Sequence, residues 1–224
     1  MPLDRLAALL PGLTVESAGV HVDRANLHVS RTPAGGYHIG PYLRGQQIFA
    51  ARLSWGPASD RLWEGMAGMT VAMGDPLFPL VALSVAEAEA PRCGADHLLK
   101  GYVQSFVVHL LRQAIEEGAA SRGVLAGLAD PRLARVLVAL HEAPAKPWKV
   151  EAMCELAGMS RSAFMARFAE VLGEPPTSYL RRFRLEKARA ELDAGGRVGV
   201  VARRYGYASP DAFTRAMKGL ETSA

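Results

Sequence analysis

Between residues 149 and 220 one short helical pattern occurs twice, and few folds accommodate that repetition. The first copy runs Val150-Glu-Ala-Met-Cys-Glu-Leu-Ala157-Gly158-Met-Ser160, then Arg161 to Phe168. The second runs Val198-Gly-Val-Val-Ala202-Arg-Arg-Tyr-Gly206-Tyr-Ala-Ser209, then Pro210 to Met217. Each is a short apolar helix, a glycine, an apolar residue (two residues in the second copy), a serine and a second helix. Glycine tolerates the left-handed turn that ends the first helix. Serine accepts the orphan amide hydrogens that begin the second. Phe164 and Phe168, like Phe213 and Met217, stand four apart and share one inward face. Two helices joined this way form a helix-turn-helix, and the repeat predicts two of them.

Such a unit lays its second helix in the major groove of a duplex. Between the copies, Pro176 to Leu192 reads as one continuous helix of roughly 25 Å at 1.5 Å per residue. That length helps hold two recognition helices about one DNA turn, roughly 34 Å, apart. In its order of motifs, residues 131–220 resemble the DNA-binding domain of the AraC/XylS family of bacterial transcription regulators. The resemblance rests on Leu156-Ala157-Gly158-Met159-Ser160-Arg161-Ser162-Ala163-Phe164 with Arg167-Phe168 in the first unit. It continues through Gly173, Pro176, Tyr179, Leu180, Arg184, Leu185 and Ala188 in the connecting helix. It closes on Val201-Ala202, Tyr205-Gly206-Tyr207, Ser209, Phe213 and Arg215-Ala216-Met217-Lys218.

Two departures from the family pattern stand out. The sequence stops at Ala224, short of a Gly-x-Ser-Pro stretch and a final capping helix, which predicts an uncovered apolar face on the second unit. Ala166 stands where many relatives carry arginine or another polar residue, and offers a base only a methyl contact.

Exclusion gives the candidate contact residues. With Phe164 and Phe168 inward, Arg161, Ser162, Met165 and Ala166 remain to meet DNA from the first unit. With Phe213 and Met217 inward, Pro210, Asp211, Thr214, Arg215 and Lys218 remain on the second. The resemblance makes Arg215 the base reader; Arg161 can fork onto guanine O6/N7 or onto a phosphate, and the resemblance favours the backbone contact. Arg181 and Arg182 on the connecting helix are expected at phosphates, which position without specifying sequence. Arg184 and Lys187 have a second reading as internal partners of Glu186 or Glu191.

Charge agrees with this division. Residues 131–224 hold 16 Lys+Arg against 10 Asp+Glu, whereas the first 130 residues hold 10 against 12. A basic face gathered on one half is the footprint expected for phosphate contact, although a solvated helical face looks similar alone.

The N-terminal half reads differently. Residues 18–75 alternate β-compatible runs (Val20–Val22, Asn26–Ser30, Gln47–Trp55) with turns such as Thr32-Pro-Ala-Gly-Gly36. The resemblance implies a cupin-type barrel that senses a small-molecule effector. Fewer than sixty residues predict a shortened barrel. His21, His28 and His38 lack the spacing of a metal-binding cupin, so no metal or other cofactor is expected.

From His97 to Glu117, Leu99, Val103, Phe106, Val107, Leu110, Leu111 and Ala114 form one apolar helical stripe. The residues allow a helix packed on its own domain; the resemblance implies one that pairs two subunits in a homodimer. Gly118 to Gly127 reads as a linker, and Asp130-Pro131 opens the next helix as N-cap and first turn.

Together these readings predict an α+β chain. A small, partly cupin-like β-rich region with helices (1–122) precedes an all-α domain (129–224) of two helix-turn-helix units joined by a long helix. The expected activity is sequence-specific DNA binding in transcription regulation, without catalysis. A truncated paralogue that dimerises or competes with a full-length regulator is the alternative, and a cupin-type enzyme ranks below both. With no run of about twenty apolar residues and no secretory signal, a cytoplasmic protein is expected. Cys154 reads as a small core residue and Cys93 as part of a polar connector, so no disulfide framework follows.

Overall fold

The computed structural model describes residues 3–6, 9–55, 66, 68–118, 120 and 122–221. The chain folds as two compact units. One carries the strands and the first two helices; the other carries the chain from Arg122 onward together with residues 3–6.

The N-terminal unit is built on a five-stranded antiparallel sheet in the order β1-β4-β2-β3-β5. The strands are β1 (Thr14–Gly19), β2 (Leu27–Arg31), β3 (Tyr37–Gly40), β4 (Gln47–Ser54) and β5 (Met69–Val71). Two of the three expected runs are strands, but Val20–Val22 follows β1 instead of forming one. β3 and β5 add strands that alternation does not reveal. All four residues of β3 are buried, so the inside-outside contrast that marks a strand is missing there. Leu27, Val29, Ile39, Phe49, Ala51 and Leu53 are wholly buried on one sheet face. Among the described residues the sheet is open, in keeping with too few strands for a closed barrel.

Two helices complete this unit: α1 (Phe78–Glu89) and α2 (Ala95–Glu116). Periodicity predicts only the second. Leu99, Val103, Phe106, Val107, Leu110, Leu111, Ala114 and Ile115 of α2 are all buried, and the helix packs on β1 and α1. The stripe expected to pair subunits is thus covered within its own unit. The sheet and α1 supply the apolar partner that one helix in isolation lacks.

The C-terminal unit is all-helical: α3 (Val124–Ala129), α4 (Pro131–Glu142), α5 (Val150–Ala157), α6 (Arg161–Leu172), α7 (Pro176–Asp193), α8 (Val198–Arg204) and α9 (Pro210–Glu221). The stretch expected as linker runs into α3, which begins within it and whose Leu125 and Leu128 are buried. Gly127 permits close packing there, since a Cβ would lie 2.6 Å from Leu137 and 3.0 Å from Leu172. Asp130 caps α4 by accepting from the amides of Arg132 at 2.9 Å and Leu133 at 3.3 Å.

Two cores lie along α7. The first gathers Leu133, Leu137, Leu140, Met153, Phe164, Phe168 and Tyr179. Phe164 and Phe168 meet edge to face with centroids 5.5 Å apart, and Phe168 meets Tyr179 the same way at 5.6 Å. The second gathers Leu185, Ala188, Val201, Ala202, Phe213, Ala216 and Met217, with Leu192, Tyr205 and Tyr207 packed against it. α7 supplies residues to both, which sets the two helix-turn-helix units in one register. Cys154 is buried and Cys93 exposed.

Candidate nucleic-acid interface

Backbone chemistry makes the two helix pairs equivalent. Gly158 (φ +63°) ends α5, and the Met159 amide returns to the Cys154 carbonyl at 3.1 Å. Gly206 (φ +82°) follows α8, and the Tyr207 amide returns to the Ala202 carbonyl at 2.9 Å. Both are six-to-one closures that require a left-handed residue. Ser160 Oγ then accepts from the Ala163 amide at 3.4 Å, and Ser209 Oγ from the Ala212 amide at 3.2 Å. The second turn is one residue longer. Beyond the serine the helices align position by position: Phe164 with Phe213, Ser162 with Asp211, Met165 with Thr214, Ala166 with Arg215.

The outward faces follow from that alignment. On α6, Arg161, Ser162 and Ala166 are exposed and Met165 is half-buried. On α9, Pro210, Asp211, Thr214, Arg215 and Lys218 are exposed. The Thr214 hydroxyl donates to the Pro210 carbonyl at 2.9 Å, one turn back along the helix. Of the residues named from exclusion on the two recognition helices, all but half-buried Met165 are exposed.

The cations divide into committed and available groups. Arg161 pairs with Glu151, but both are more than 60 % exposed, so the pair is weak and the guanidinium can leave it. Arg167 is held by Asp130 at 3.0 Å and Glu170 at 3.1 Å, tying α6 to the start of α4. Burial pushes the Asp130 carboxyl up, but the Arg132 amide and the Arg167 side chain outweigh it and hold it below its ordinary range.

Arg182 departs from the sequence expectation. Its side chain is only 16 % exposed, bonded to Glu174 and Glu186 at 2.7 Å each, and its guanidinium lies 5.1 Å from the Tyr179 ring centre. The expected phosphate contact is thus replaced by internal partners, because two carboxylates and a ring lie within its reach. Arg184 donates to the carbonyls of Pro144 and Lys146 at 2.6 Å, pinning the segment before α5. Glu191 pairs with Arg204.

Arg181 remains exposed close to Tyr207. With Arg184, Tyr205, Gly206, Tyr207 and Arg215 it lines an open cleft of about 510 Å³ on the second unit. Burial pushes the Tyr207 hydroxyl up, against the pull of Arg181. Exclusion on the recognition helices does not reach these two tyrosines; their position flanking Gly206 in the turn is the signal that could have found them.

Beneath the first unit, His141 donates to or accepts from Tyr179 Oη across 2.6 Å and stacks on Phe183 with centroids 4.2 Å apart. Burial, with the nearby Lys187 and Arg182 charges, lowers its pKa to about 4. In the sheet, His28 bonds Gln47 at 2.9 Å, and buried His38 is held below its ordinary pKa by desolvation and then by Arg44. No group of three or more His, Cys, Asp or Glu among the described residues is arranged to hold a metal ion. None of the described helices is long and apolar enough to cross a membrane.

Residues 153–222 match a helix-turn-helix domain family, covering α6 to α9 and all but the first residues of α5. Among curated proteins, a putative AraC-like transcription regulator of Streptomyces lividans is 40% identical over 114 residues, 50% of this chain and 38% of that protein. The HTH-type transcriptional regulator AlkR of Acinetobacter baylyi is 30% identical over 133 residues, 59% of this chain and 44% of its own length. An uncharacterized HTH-type transcriptional regulator of Haemophilus influenzae is 31% identical over 144 residues, 64% of this chain and 48% of its own. The matched region thus spans about half, or less, of each of these relatives.

Proposed function

We propose that this chain, whose C-terminal domain is of the AraC helix-turn-helix type, is a sequence-specific DNA-binding transcription regulator. Its recognition helices α6 and α9 enter successive major-groove segments of one promoter or operator site. The observation that carries the reading is the repeated glycine-closed, serine-capped helix pair, each presenting a solvent-facing recognition helix, in a domain that matches regulators. A bidentate arginine–guanine contact from Arg215 supplies sequence discrimination worth about 1–3 kcal/mol. Arg181 and Lys218 lie on exposed positions suited to phosphates. Arg161 serves the same role once released from Glu151. The reading requires no effector or second subunit, and a bacterial duplex partner implies a cytoplasmic protein.

Selection of random-sequence duplex DNA on the purified protein tests this. The expected result is enrichment of one asymmetric site, with Arg215→Ala relaxing the preference at one position. Failure to enrich any sequence at low salt overturns the proposal.

A further inference from the structure

The two recognition helices present opposite chemistry at equivalent positions. Where α9 exposes Asp211, Arg215 and Lys218, α6 exposes Ser162, Ala166 and, half-buried, Ala169. Thr214 on α9 corresponds to half-buried Met165 on α6. Arg167, the arginine beside Ala166, is held by Asp130 and Glu170, which leaves Arg161, in its weak exposed pair with Glu151, as the releasable cation of α6. On the second unit the arginine-lined cleft continues the basic surface from Arg215 to Arg181.

Resting on the regulator reading above, we propose that the two units read different features of the duplex. The second unit recognises guanine through Arg215 and carries most of the ionic hold. The first recognises thymine through its C5-methyl, which packs on Ala166 and Met165. A methyl and a thioether offer no hydrogen-bond donor to the N7 and O6 acceptors of a guanine edge, yet both complement the one apolar group in the major groove. Ser162 and Ala166 are short and exposed, and half-buried Met165 beside them adds apolar surface at the same approach.

The test uses the duplex enriched by the intact protein. The half-site under each helix is assigned by which base preferences change in Ala166→Arg and in Arg215→Ala, both exposed substitutions. Thymines are then replaced by deoxyuridine, which lacks only the methyl, and guanines by 7-deazaguanine, which lacks N7. Deoxyuridine in the α6 half should weaken binding about fourfold per contacted methyl, the value of one buried carbon, and leave the α9 half within about twofold. The 7-deazaguanine effect should show the reverse pattern and vanish in Arg215→Ala. Arg215→Ala should also reduce the salt dependence more than Ser162→Ala does. If deoxyuridine is silent under α6, or guanine substitution weakens both halves equally, the division is overturned while DNA binding itself stands. Failure to enrich any duplex instead overturns the underlying regulator reading.

Discussion

Arg182→Ala separates a structural arginine from a DNA-contacting one. In the folded chain this guanidinium holds Glu174 and Glu186, whose side chains are 23% and 11% exposed. Removing one partner of a buried pair costs about 3–5 kcal/mol, because charges are left uncompensated. Here the residual exposure of all three groups lets water reach them, and about 2–3 kcal/mol is the appropriate scale. At roughly 4–8 °C per kcal/mol for a domain of this size, the unfolding midpoint should fall by about 10–20 °C. Thermal unfolding by circular dichroism measures this. At a temperature where the variant is folded, its affinity for the enriched duplex should keep the wild-type salt dependence. Arg181→Ala, one position earlier and exposed, should do the opposite. Its stability should change by less than about 0.5 kcal/mol, and the slope of log affinity against log salt should drop by about 1. An Arg182→Ala protein with an unchanged midpoint and a flattened salt slope would refute the assignment and return Arg182 to the phosphate.

Other outcomes follow from the same geometry. His141 is kept neutral in the fold, with a pKa near 4 against 6.5 when unfolded. Its contribution is therefore complete above pH 6.5 and is lost as pH falls toward 4, by about 3 kcal/mol, and His141→Gln should flatten unfolding midpoints measured across that range. Gly158→Ala meets no atom within 4 Å but imposes a positive φ on alanine, so denaturant unfolding should show a loss of about 1 kcal/mol. Phe213→Ala empties the centre of the second core and should cost about 3–5 kcal/mol by the same measurement. Hydrogen exchange should then rise first in α8 and α9.

The legible part of the molecule was the part governed by local chemistry. Gly158, Ser160, Gly206 and Ser209 mark their turns in the sequence because each position requires a particular backbone freedom or acceptor. The inward spacing of Phe164 with Phe168 and of Phe213 with Met217 is a property of the helix repeat, so the outward faces followed by subtraction. The apolar stripe of α2 was equally plain as a stripe. Its partner was not, since burial against β1 and α1 depends on where the chain returns. Strand β3 escaped because all four of its residues are enclosed and carry no periodic contrast, and β5 and α3 escaped because three and six residues are too short for a period to register.

Charge is where the two levels part most clearly. The sequence alone determined that basic residues concentrate in the helix-turn-helix half and that Ala166 and Arg215 occupy matching positions in its two copies. Only the tertiary structure decided which cations are available. Arg181 and Arg182 are neighbours of identical chemistry, yet one faces solvent at the cleft while the other closes on Glu174, Glu186 and the Tyr179 ring. Neighbours on a helix point about 100° apart, and the partners each then meets come from distant parts of the chain.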